Sequence, residues 1–148
     1  MRLIGHDREA EAVEWVKSKI GIEHGVGYTQ AFSAVDKDNG FALVVVLSNF
    51  SPGNIDIHIA GEPDKIRPRV FAQMFNQVFS YAFQKLGARR VTGLIASKNQ
   101  QAMRFAELAG FTKEGVLRNA LPDDSVCIYC LLAGEYLNHK WYEVPNVQ

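Results

Sequence analysis

The chain has 148 residues, 47% hydrophobic and 22% charged. That length matches one domain over 1–148, and a chain of this size buries about 70% of its unfolded surface, so its core suffices without disulfides or a metal. Lys and Arg number 16 and Asp and Glu number 16, and this zero net charge argues against a nucleic-acid binder that tracks phosphates by bulk charge.

In chain order, the first helix starts near Asp7, a good N-cap, and runs to Ile20. Ala12, Val13, Val16 and Ile20 form its apolar stripe, and Gly21 ends it. Residues 22–29 read as loop around Gly25-Val26-Gly27. Strands over 28–35 and 41–47 flank Asp36-Lys37-Asp38-Asn39-Gly40, a hairpin turn built on Asn-Gly. Ser51-Pro52-Gly53-Asn54 is a second turn. Residues 55–60 alternate, with Ile55, Ile57 and Ile59 on one face and Asp56 and His58 on the other.

A loop over 61–69 leads to the longest helix. Val70, Phe71, Met74, Phe75, Val78, Phe79, Ala82, Phe83 and Leu86 give it a wide apolar stripe, and Gly87 caps it. Residues 91–96 form a strand. The next helix is expected to open on a capping box between Ser97 and Gln100 and to close at Gly110. Residues 111–117 and 126–133 are the last strands, joined by the turn Leu121-Pro122-Asp123-Asp124. Three meander strands ahead of a β-α-β unit predict an α/β fold with a mixed central sheet of about six strands and helices packed on it.

Cys127 and Cys130 form a C-x-x-C, but inside a strand, where an odd separation points the two thiols to opposite faces. They read as reduced structural cysteines, which points to a cytoplasmic setting. No apolar run approaches the ~20 residues of a membrane helix, and the N-terminus turns polar at His6-Asp7 with no signal core. A membrane or nucleic-acid partner is therefore not expected. His6, His24, His58 and His139 are scattered without ligand spacing, so no metal site is expected. No G-x-G-x-x-G follows a strand.

Ser80-Tyr81-Ala82-Phe83, Leu86-Gly87-Ala88-Arg89-Arg90-Val91, Asn99-Gln100-Gln101-Ala102, Ala109-Gly110-Phe111-Thr112-Lys113-Glu114-Gly115, Arg118 and Leu131-Leu132-Ala133-Gly134-Glu135-Tyr136 together resemble the GNAT superfamily of N-acetyltransferases, in particular the ribosomal-protein alanine acetyltransferase branch. The second half of the chain carries the resemblance; the first half follows it in element order, with the usual first strand missing or reduced to Arg2-Leu3-Ile4. The resemblance implies acetyl-CoA as co-substrate and transfer of acetyl to a primary amine of a small molecule or a protein N-terminus, with a homodimer as one assembly. It implies a split between strands 55–60 and 91–96, where the backbone of Ile59 and Ala60 meets the pantetheine arm. The pyrophosphate would lie over the N-terminus of the following helix.

That phosphate loop departs from the family pattern. Its two small-residue positions fall on Arg69 and Phe71, which obstruct the backbone approach that glycine allows. Arg67 and Arg69, with Lys65, offer side-chain charge instead. Asp56 and His58 are the candidate general bases, and an imidazole titrates nearest neutrality. Glu62 reads as a solvated loop acid. Asn99 matches the family's Asn at the cofactor cleft, though Asn also suits a helix start. The tyrosine that many relatives carry six residues later is Phe105 here; Tyr129 is a substitute proton donor. Arg118 fits either the acceptor pocket or a strand carboxylate, and Trp15 either acceptor recognition or core. The rival reading is a non-catalytic GNAT-fold protein that acts by binding or assembly.

Overall fold

The computed structural model describes residues 1–20, 29–62 and 65–138; of Ile20 and Thr29 only the backbone is described. The expected loop over 22–29 lies almost wholly outside these residues. The elements are β1 (Arg2–Gly5), α1 (Glu9–Ile20), β2 (Thr29–Val35), β3 (Phe41–Ser51), β4 (Asn54–Gly61), α2 (Pro68–Phe79, continued as a π-helical segment Ser80–Lys85), β5 (Arg90–Ala96), α3 (Gln100–Leu108), β6 (Thr112–Leu121), β7 (Asp124–Leu132) and α4 (Ala133–Leu137). The sheet has seven strands in the order β1-β2-β3-β4-β5-β7-β6. Arg2–Gly5 is thus a true first strand, pairing antiparallel with β2. Four residues are too short to show an alternation, so only tertiary pairing defines it.

The β2–β3 hairpin closes as its turn chemistry dictates. Asp36 Oδ1 accepts the N–H groups of Asp38 and Gly40 at 2.9 and 3.0 Å, and Asn39 takes φ 63°, a conformation Asn tolerates better than most residues. β3 is buried from Ala42 to Ser48 because it lies between two layers. On one side, α1 sets Ala12 and Val16 against Ala31, Val44, Val46 and Ala60. On the other, α2 and α3 set Phe71, Met74, Phe75, Val78, Phe79 and Ala106 against Leu43, Val45, Leu47, Ile55, Ile57 and Val91.

The long helix departs from a regular α-helix at Ser80, and the Leu86 N–H donates five residues back to Tyr81 O at 2.9 Å. Apolar spacing does not reveal this wider turn. Tyr136 marks the junction, its hydroxyl reaching Asn76 Oδ1 at 2.5 Å and lying 3.3 Å from Ser80 Oγ. The start of α3 also corrects the sequence reading. Its N-cap is Asn99, not Ser97, and Ser97 Oγ lies 3.4 Å from Cys127 Sγ. Cys127 and Cys130 are free and buried, with Cys127 in the α2–α3 core.

Candidate functional site

β4 and β5 pair in parallel over only four positions, Asn54–Arg90, Ile55–Val91, Asp56–Thr92 and Ile57–Gly93. Beyond them each strand keeps its other partner. His58, Ile59 and Ala60 remain on β3, opposite Val46, Val45 and Val44. Leu94, Ile95 and Ala96 remain on β7, opposite Ile128, Cys127 and Val126. Each strand follows the twist of its own neighbour, so the two part. Among the described residues, the backbone of Ile59 and Ala60 has no ladder partner on its β5 side. An extended arm laid in this split would complete the ladder as a partial extra strand. The split falls between the two strands named from sequence.

The first turn of α2 follows β4. Its N-cap, Arg67, is extended and makes no side-chain cap bond, Pro68 occupies the first turn, and no acidic residue stands there. The positive end of the helix is therefore not neutralised by its own first turn. Arg67 and Arg69 are both exposed there. Lys65 is engaged elsewhere, 3.1 Å from Asp36 Oδ2, which holds the Asp36 carboxyl below its ordinary value, with help from the turn N–H groups of Gly40 and Asp38. Phe71 is buried. Its ring meets Phe105 of α3 edge-on at 4.0 Å between centroids and Phe75 at 4.5 Å. Two of the three residues that break the family pattern, Phe71 and Phe105, thus touch each other, joining the start of α2 to α3.

Asn99 Oδ1 accepts the Ala102 N–H at 3.1 Å, which closes the N-terminus of α3. Tyr129 is buried, and its hydroxyl donates to Glu107 Oε1 at 3.2 Å; burial first and this bond second push its phenol up. That favours packing over proton donation. Trp15 packs on Phe41. Glu62 lies 3.4 Å from Lys19 Nζ. Arg118 is exposed, and the strand carboxylate Glu114 pairs with Arg90 instead, at 2.5 Å.

Asp56 and His58 share the sheet face on the α1 side, opposite the isoleucines. Asp56 sits inside a polar network that the sequence reading missed. Its carboxylate accepts from Asn54 Nδ2 at 3.2 Å and Asn49 Nδ2 at 3.3 Å. Asn54 Oδ1 accepts from Thr92 Oγ1 at 2.6 Å, and Thr92 Oγ1 accepts from Arg90 Nε at 3.0 Å. His58 Nε2 lies 3.0 Å from Ser48 Oγ. The network draws on four strands, and its one sequence signal is the polar residues alternating with apolar ones along 54–58 and 90–92. No cluster of His, Cys, Asp and Glu among the described residues could hold a metal ion. No described helix is long and apolar enough to cross a membrane.

The sequence profile described as "Acetyltransferase (GNAT) domain" matches residues 1–112. The chain belongs to the GNAT acetyltransferases. The ribosomal-protein branch suggested by the sequence is not part of that finding. Solved structures share the fold. Spermidine N-acetyltransferase from Vibrio cholerae, in complex with CoA and spermine, has a TM-score of 0.69 at 18% identity, over 92% of this chain and 97% of that one. A chimera of the Vibrio cholerae enzyme and hSSAT has a TM-score of 0.66 at 16% identity, over 93% of this chain and 100% of that one. A dodecameric form of the Vibrio cholerae enzyme has a TM-score of 0.64 at 20% identity, over 88% of this chain and 78% of that one. A search of the curated proteins finds no match.

Proposed function

We propose that this GNAT protein is an acetyl-CoA-dependent N-acetyltransferase acting on a primary amine of a small molecule or a protein N-terminus. The observation that carries the reading is the β4–β5 split at 57 and 93, with uncapped α2 behind it. Ile59 and Ala60 would receive the pantetheine arm along β4, Arg67 and Arg69 would meet the phosphates, and Asn99 would border the arm. The amine nitrogen attacks the thioester carbon, the C–S bond breaks, and the thiolate leaves with the electron pair. The amine proton passes to Asp56 or His58, directly or through a water, while a hydrogen-bond donor meets the negative charge growing on the thioester oxygen. Polyamines, the substrates named for the solved relatives, belong in the amine panel beside peptide N-termini. The two free, buried cysteines support a cytoplasmic, reducing setting.

The Phe71–Phe105 contact favours a second reading, a GNAT-fold protein that no longer takes CoA and works by binding or assembly. A thermal titration separates the two. CoA at one hundred times its dissociation constant should stabilise the fold by about 2.7 kcal/mol. A flat response up to millimolar CoA refutes the transferase.

A further inference from the structure

The sheet face that carries Asp56 receives α1 through Ala12 and Val16, which pack with Ala31 of β2, Val44 and Val46 of β3 and Ala60 of β4. On β5 and β7 the same face is apolar and partly open. Val91 of β5 and Cys127, Tyr129 and Leu131 of β7 point into the core on the other side. Alternation therefore places Thr92 and Leu94 of β5, and Ile128 and Cys130 of β7, on the α1 side. Leu94 pairs with Ile128, and Ile128 with Gly115 of β6. These three positions form a row that starts at the split, because Leu94 is the first β5 residue past the last β4–β5 pair. Leu94 is 41% exposed, and Ile128 is half-buried. A Cβ at Gly115 would come no closer than 4.0 Å to Ile128 Cδ1, so the glycine leaves the far end of the row open. The adjacent row is polar, with Asp56 opposite Thr92 and Thr92 opposite Cys130. Glu114 is paired there with Arg90, whereas the bonds to Asp56 come from two neutral amides, Asn49 and Asn54.

We infer that the Leu94–Ile128 row selects the acceptor as a monoamine bearing an apolar group, with its nitrogen at Asp56 and that group over Leu94 and Ile128. The inference rests on the transferase reading, which brings the amine to this face. Leu94 lies two residues beyond Thr92, the partner of Asp56. That is roughly 7 Å along the strand, within reach of a short carbon chain. A polyamine would lay its further ammonium groups on Leu94 and Ile128 or beside Arg90. Among the described residues no unpaired carboxylate of β5, β6 or β7 meets them there, and a charge set on apolar side chains without a partner is costly. A second copy of the chain is a poorer occupant. A stable dimer buries about 800 Å² per partner, and two partly covered aliphatic side chains and a glycine offer far less. An aromatic ring or a branched aliphatic chain matches the row in size and polarity. An aralkylamine and a peptide with an apolar first residue share this chemistry.

Steady-state acetylation by the full chain tests this, with acetyl-CoA and, in turn, phenylethylamine, ethylamine, a dipeptide beginning with leucine, one beginning with glycine, and spermidine. Wild type should have a higher kcat/KM for phenylethylamine than for ethylamine, or for the leucyl than for the glycyl dipeptide; which pair it accepts identifies the source of the amine. Spermidine should be a poorer acceptor than the preferred apolar amine. Leu94→Ser should lower the apolar preference about tenfold, the lower end of what an apolar contact supplies in specificity. A ratio taken within one preparation cancels any loss of folded protein. Leu94→Glu, which adds a carboxylate to the row, should raise spermidine relative to the apolar amine. A wild type that prefers spermidine, or an apolar preference unchanged in Leu94→Ser, overturns the inference and leaves the transferase reading standing. A wild-type dimer that Leu94→Glu dissociates in sedimentation makes the row a contact between copies and also overturns it. A wild type that binds CoA but acetylates no amine refutes the transferase reading and this inference with it.

Discussion

Asn99 is where a structural and a functional account of one residue part most cleanly. The side chain is exposed, and its described hydrogen bond closes α3 by accepting the Ala102 N–H at 3.1 Å. Replacing it with Ala removes that acceptor and leaves a first-turn donor to water, at a cost of about 1 kcal/mol. In a chain of this size that lowers Tm by about 2–4 °C. Asn99→Asp should return the lost stability, because a carboxylate caps as well and adds a charge favourable to the helix dipole. Cofactor binding separates the variants differently. If the Asn99 amide group also donates to the pantetheine arm, Asp cannot replace it, and CoA affinity should stay weakened in Asn99→Asp while Tm is restored. Differential scanning calorimetry gives the first quantity and isothermal titration with CoA the second. An Asn99→Ala protein as stable as wild type would refute the capping argument. A fully CoA-competent Asn99→Asp would limit Asn99 to the cap.

Changing Arg67 and Arg69 together to Ala should weaken CoA more than a phosphate-free pantetheine analogue, and wild-type CoA affinity should fall as salt is added; equal losses for both ligands in titration would reduce the arginines to loop support. Phe71→Ala should cost about 3–5 kcal/mol in urea unfolding, as buried Phe truncations do, and should raise CoA affinity by opening the start of α2; affinity falling with stability would show that the ring does not obstruct the cofactor. Asp36, whose folded carboxyl is held below its ordinary value first by Lys65, contributes stability that is fully present above its unfolded pKa of about 3.9 and is lost as pH falls through the depressed folded value. The gap in urea midpoint between wild type and Asp36→Asn should therefore close as the solution is acidified below that range, and a gap independent of pH would refute the Lys65 contribution.

Elements whose information is local were legible in the sequence. Asp36 to Gly40 specifies its turn through Asx bonding, the isoleucines of 55–59 specify which face of β4 is apolar, and the Phe-rich stripe from 70 to 86 specifies a buried helix, because each rests on periodicity or on side-chain-to-backbone bonds within a few residues. It also located the two strands that part and the candidate pair Asp56 and His58. The first strand was left open between missing and reduced to Arg2-Leu3-Ile4, since four residues acquire strand character only by pairing with β2. The π-helical segment was beyond the sequence, because an apolar stripe constrains which residues face inward and not which carbonyl each N–H meets. The cap of α3 was read on Ser97, the residue with the capping-box spacing, and only the placed helix shows Asn99 accepting the Ala102 N–H instead. Tertiary structure alone brought Phe71 against Phe105, gathered Asn49, Asn54, Asp56, Thr92, Arg90 and Glu114 into one network, and set Ser48 on His58. These contacts join strands and helices far apart in the chain, and only the register of β3 on β4 and the packing of α2 on α3 fix their distances.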